Sequence, residues 1–193
     1  MYWDPLPEAL ERIARDRCLA DRFRGTWEKR NPLNVPGPFY GADTDTCGTG
    51  PLVAPRHVLC DAEGQEFVYR QARDRDGLSE ILDAVTEEPF GDYARDGDDR
   101  WTPESVREWW AGRGQVRAFA ERLAEEYAAG EDEWDRDRVP ALRDFAASID
   151  NGELEEYLRN YLFWLTERRS PREGEPLPDL SQLGPNGFNG QVG

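Results

Sequence analysis

The chain has 193 residues, enough for one sizeable hydrophobic core and short for two. Apolar residues make up only 38% of it, but aromatic residues reach 11% and supply the large buried areas that a core needs. Its formal net charge of −16 argues against nucleic-acid binding by phosphate neutralisation and disfavours anionic membrane surfaces.

Among the 24 basic residues only Lys29 is a lysine, a bias that reflects a GC-rich coding sequence more than guanidinium chemistry. The stretch Met1-Tyr2-Trp3-Asp4-Pro5 lacks the basic and apolar regions of a signal peptide, and no apolar run approaches the roughly 20 residues that span a bilayer. The expected location is the cytoplasm. Cys18, Cys47 and Cys60 are too few and odd in number for a disulfide scaffold, so reduced thiols are expected.

The spacing of Leu10, Ile13, Ala14 and Leu19 predicts a first helix starting near Asp4 or Leu6, with Pro5 and Pro7 tolerated in its first turn. Asn31 to Gly41 then packs turn formers around Phe39 and Tyr40, which predicts an ordered loop. His57–Asp61 and Gln65–Arg70 flank Ala62-Glu63-Gly64 and read as a β-hairpin. Helical spacing returns at Leu78, Ile81, Leu82 and Val85, and an irregular acidic stretch follows from Glu87 to Arg100. Thr102 and Pro103 fit the N-cap and first position of a helix that breaks or kinks near Gly112 and Gly114. Val116, Phe119, Ala120, Leu123 and Tyr127 form an amphipathic stripe, read as core packing. Leu142, Phe145 and Ile149 suggest a short helix, with Asp150 and Glu153 spaced as a capping box for the next. That last helix carries Leu154, Tyr157, Leu158, Tyr161, Leu162 and Leu165 on one face, widened by Phe163 and Trp164, and should be central. Beyond Ser170 the chain turns proline- and glycine-rich, with Leu177, Leu180, Leu183, Phe188 and Val192 as sparse anchors. The expected fold is α+β and mostly helical: five or six helices with a small antiparallel hairpin or sheet, one domain over residues 1–169, and a tail or strap over 170–193.

Residues 41–50 hold Asp43, Asp45, Cys47 and three threonines on a flexible backbone, the most site-like segment of the chain. Asp43 and Asp45 could grip a hard cation from one side of an extended chain, or could cap turns. Cys47 and His57 could form a nucleophile and base, oriented by Asp43, Asp45 or Asp61. Cys47, His57 and Cys60 include zinc-ligand types without a zinc-site spacing. His57 is the only histidine, so at most one imidazole mechanism is open. Asp96-Gly97-Asp98-Asp99 resembles a fragment of a calcium loop but lacks the later glutamate, and a solvated acidic turn accounts for it better. No nucleotide, dinucleotide, zincin or hydrolase motif is present, and no cofactor is expected.

Charge is uneven: residues 1–30 are nearly balanced, whereas 71–100 set ten acidic groups against four arginines and 101–140 ten against six. An acidic binding face is therefore expected there, with Asp92, Asp96, Asp98, Asp99, Glu125 and Glu126 as its residues.

The run Asn34-Val35-Pro36-Gly37-Pro38-Phe39-Tyr40-Gly41-Ala42-Asp43-Thr44-Asp45-Thr46-Cys47, followed by Gly64–Gln71, Trp101–Glu104 and Trp109-Trp110, resembles a family of acidic, arginine-rich proteins of high-GC bacteria. The resemblance covers roughly residues 3 to 168 and implies no established activity. By analogy, small acidic proteins of this kind include immunity proteins paired with toxins. The leading expectation is a non-enzymatic module for a basic protein partner, an immunity protein or inhibitor, that binds neither nucleic acid nor membrane. The alternative is an enzyme or ligand-binding protein that uses the Asp43–His57 loop. The oligomeric state is left open.

Overall fold

The structure, a computed structural model, describes residues 2–181. It is α+β and mostly helical, with nine α-helices and two two-stranded antiparallel sheets among the described residues. Three of the nine are single turns, so six full-length helices carry the architecture.

The N-terminal helix α1 (Leu6–Arg15) starts after Pro5 with Pro7 in its first turn, where N–H groups have no helical acceptor. Its buried residues are Ala9 and Ile13, while Leu10 and Ala14 of the expected stripe face solvent. The helix breaks at Asp16, whose extended backbone starts a separate turn, α2 (Arg17–Ala20), and whose carboxylate accepts from the N–H groups of Cys18 and Leu19. Leu19 is buried on that separate turn, and within α1 only Ile13 of the expected stripe faces the core, joined by Ala9.

The hairpin forms as expected between β2 (Val58–Cys60) and β3 (Glu66–Val68), with Val58 opposite Val68 and Leu59 opposite Phe67. Asp61 closes its turn by accepting from the N–H groups of Glu63 and Gln65, and Gly64 takes the left-handed conformation there (φ 87°). Successive strand residues point to opposite faces. Val58 and Val68 enter one apolar cluster, with Ala9, Ile13 and the helix α4 (Arg75–Glu87); Leu59 and Phe67 enter a second. The hairpin is thus buried on both sides. The second sheet pairs β1 (Tyr40–Gly41) with β4 (Tyr93–Ala94), which lies inside the stretch expected to be irregular.

The segment Asn31–Ala42 is buried almost throughout despite its near lack of regular structure. Buried backbone polar groups need partners, and two side-chain amides provide them. Asn34 bonds Asn31, Gly41 and Val68, and Gln71 bonds Val35 and Phe39. A side chain on Gly37 would strike Gln71, so the glycine is needed for this close approach.

The larger cluster is built by four helices. Helix α6 (Pro103–Ala111) has the expected Thr102 cap, completed by Ser105 as a capping box, and ends at Gly112 before α7 (Arg113–Ala129). Helix α8 (Glu133–Asp150) is longer than its apolar spacing suggested, because Pro140 lies inside it. Pro140 is exposed, so the carbonyl it cannot bond lies on the wet side of the helix. The expected Asp150–Glu153 capping box is absent. Asp150 ends α8 and pairs with Arg117, Gly152 turns the chain in the left-handed conformation (φ 84°), and Asn151 accepts from Glu153 N–H. Helix α9 (Glu153–Glu167) is central, with all eight expected apolar residues buried.

Residues 170–181 run over the surface as a strap. Ser170 bonds the carbonyl of Tyr2, Arg159 bonds the carbonyls of Leu177 and Pro178, and Leu180 is buried in the larger cluster. Leu183, Phe188 and Val192 lie outside the described residues.

Candidate protein-binding groove

The site-like residues of the 43–61 segment do not converge. Asp43 takes a left-handed backbone (φ 59°) and its carboxylate meets Lys29 at 2.8 Å and the Gln65 amide at 3.2 Å. Asp45 turns inward instead, one oxygen accepting from Cys47 N–H at 3.1 Å and the other buried without a partner. Among the described residues no group of three or more histidine, cysteine or acidic side chains is placed to hold a metal ion.

Cys47 and His57 lie in different surroundings. Cys47 is exposed, and the adjacent Asp45 carboxylate raises its thiol pKa above the usual value, the reverse of what an activated nucleophile needs. His57 is buried, its Nδ1 at 2.8 Å from the carbonyl of Arg70 and its ring against Gly77. Burial lowers its pKa, with the Arg70 carbonyl and Glu80 opposing. Cys60 is buried as well, and burial pushes its thiol up to about 12. Asp61, a candidate orienting group, is occupied as a turn cap and by the Asn31 amide at 2.7 Å.

The expected acidic face divides. Asp99, Glu125 and Glu126 are exposed, and Glu126 pairs with Arg122 at 3.0 Å. Asp96 is tied to the Tyr40 hydroxyl at 2.6 Å and to Arg100 at 2.8 Å, and Asp92 is half-buried beside the buried Glu88. Asp98 is a correction: it is only 4% exposed, in the single turn α5 (Gly97–Arg100), and cannot belong to a surface. The turn expected to be solvated folds inward because Gly97 sits directly against the carbonyl of Gly37, where no side chain fits.

A groove missed by sequence reading lies beside the acidic start of α8. Its walls are the single-turn helix α3 (Gly50–Val53) and the first half of α8. Pro51, Leu52, Pro55, Leu59, Trp134 and Ala141 line a space of about 170 Å³. Trp134 is 55% exposed and Leu52 50%, with Val53 also exposed on the same turn. Arg138 reaches from α8 to Gly48 O, just before α3, at 3.4 Å, and pairs with Asp135 of its own helix at 3.8 Å. Gly48 is left-handed (φ 66°), and a side chain there would strike the Arg138 guanidinium.

Carboxylates flank the tryptophan in the chain. Glu131, Asp132, Glu133 and Asp137 are exposed and Asp135 half-buried, against Arg136 and Arg138. Part of this charge serves the fold, since Asp132 caps the helix through Trp134 N–H at 2.8 Å and acidic groups suit a helix N-terminus. Asp137, in the second turn, has neither task and lines the groove. Glu125 and Glu126 stand within the last five residues of α7, one short turn away in the chain. The sequence signal was present in Glu131-Asp132-Glu133-Trp134-Asp135, a large apolar side chain inside a charged run, where no core stripe accounts for it.

Comparison with protein-family models, with curated proteins and with solved structures found no match. No helix among the described residues is long and apolar enough to cross a membrane.

Proposed function

We propose that this chain is a non-enzymatic protein-binding module whose Trp134 groove engages a basic partner, as an inhibitor or immunity protein would engage its target. The observation that carries the reading is an exposed tryptophan in an apolar groove that Asp137 also lines, on the acidic start of α8. A partly exposed tryptophan presents on the order of 100 Å² of apolar surface, worth about 2 to 3 kcal/mol when covered. Interfaces concentrate their energy in such anchors and place charge around them. These carboxylates supply steering and choice of partner: a basic segment with one apolar anchor satisfies both groove and charge, while an acidic one is repelled.

The test is affinity capture from a lysate of the source cell with wild-type protein and with the double variant Glu133→Arg/Asp137→Arg as baits. The reading expects a basic protein retained by the wild type, released by salt and not retained by the double variant. Capture that is indifferent to both salt and charge reversal would overturn it.

A further inference from the structure

Asp98 is buried at the meeting of three segments: residues 2–4, α5 and α9. Its Oδ1 accepts from the Tyr161 hydroxyl at 2.8 Å, while its Oδ2 is buried without a partner. The hydroxyl of Tyr2 is also buried without a partner. The Tyr2 ring packs 5.5 Å from that of Tyr161 and 5.3 Å from Trp164, so the start of the chain is held against α9 beside this carboxyl.

The charged surroundings do not favour a carboxylate. Asp4 from the N-terminal segment and Asp99 from α5 oppose its ionisation, and Arg168 at the end of α9 favours it. Arg168, however, donates to the main-chain carbonyl of Asp98, at 3.3 Å, not to the carboxyl. Tyr2, Tyr157 and Tyr161 are the other titratable groups facing this site, and burial holds all three hydroxyls protonated. An ionised Asp98 would have one hydrogen bond and no ion pair, a costly arrangement in a buried site. The neutral acid removes that buried charge, and its O–H can donate where a carboxylate only accepts.

We propose that Asp98 is a proton-gated latch: protonated, it holds the N-terminal segment and α5 against α9, and on losing its proton it loosens that seam. Burial raises its pKa to about 7, with the Tyr161 hydrogen bond pulling the other way. The folded-state pKa lies above the ordinary value of 3.8. The native state therefore favours the acid form, and stability is lost as pH rises from about 4 through about 7.

Amide hydrogen exchange, corrected for its intrinsic pH dependence, tests this on the hydrogen-bonded amides of residues 97–101 between pH 5.5 and 8.5. A latch with this midpoint gives about a tenfold loss of protection from pH 6 to pH 8 in the wild type. Asp98→Asn, neutral at every pH, keeps the seam protected throughout. Tyr161→Phe removes a hydrogen bond that favours the carboxylate, so its midpoint moves upward. Wild-type protection independent of pH, or a pH dependence retained in Asp98→Asn, overturns the latch. Should Asp98→Asn not fold, an unmoved midpoint in Tyr161→Phe does the same.

Discussion

Asn34 pairs with the peptide of Gly41 on both sides, its Oδ1 accepting from Gly41 N–H at 3.0 Å and its Nδ2 donating to Gly41 O at 2.9 Å. The same side chain accepts from Val68 N–H at 2.9 Å and donates to Asn31 O at 2.7 Å. One amide thus substitutes for a missing stretch of sheet and ties the buried loop to the hairpin.

Asn34→Ala should lower the free energy of unfolding by about 2 to 4 kcal/mol, since it strands several buried backbone groups at once. Chemical denaturation measures it. A loss below about 0.5 kcal/mol would mean that the loop finds other partners.

Cys47 should react slowly with alkylating agents for an exposed cysteine, because the Asp45 carboxylate disfavours its thiolate. Asp45→Asn keeps an acceptor for Cys47 N–H and removes the charge, so alkylation near pH 8 should speed up roughly threefold or more. An unchanged rate, followed by mass spectrometry at Cys47, would show that the carboxylate does not control the thiol.

His57 carries an acid-side dependence of stability. Its folded-state pKa lies below the ordinary 6.5 because burial disfavours the imidazolium. The unfolded chain then binds more protons, and stability falls as pH drops below about 6.5. The Asp98 contribution runs the opposite way in part of this range, so the comparison is made within one pair of proteins. The stability difference between wild type and His57→Gln should shrink as pH falls from 7 to 5. A difference constant over that range contradicts the assignment.

Local chemistry made several elements legible in the sequence. Thr102-Pro103 is a helix start wherever it lies, Asp61 to Gln65 closes a hairpin through its own side chain and glycine, and α9 is apolar around most of its circumference. The misreadings came from contacts distant in sequence. Leu10, Ile13 and Ala14 fit one helical face, but α1 turns Ala9 and Ile13 to the core, and the Asp16 cap puts Leu19 on a separate turn. Pro140 obscured the first half of α8 because its exposure, which makes it tolerable, is a tertiary property. The site was less legible than the fold. Asp43, Asp45, Cys47 and His57 are close in sequence, yet ion pairing, turn capping and burial separate them, while Leu52 and Trp134 come from 82 residues apart in the chain to share one groove.

The most direct measurement is the dissociation constant of the captured basic partner for wild-type protein and for Trp134→Ala, at low and moderate salt. Trp134 is 55% exposed and belongs to none of the apolar clusters, so the variant should remain folded by circular dichroism. The groove reading predicts at least about a 30-fold weaker complex, from the loss of about 2 kcal/mol or more at a central anchor, with salt dependence retained because the carboxylates are intact. Equal affinity of the two proteins for that partner would contradict it.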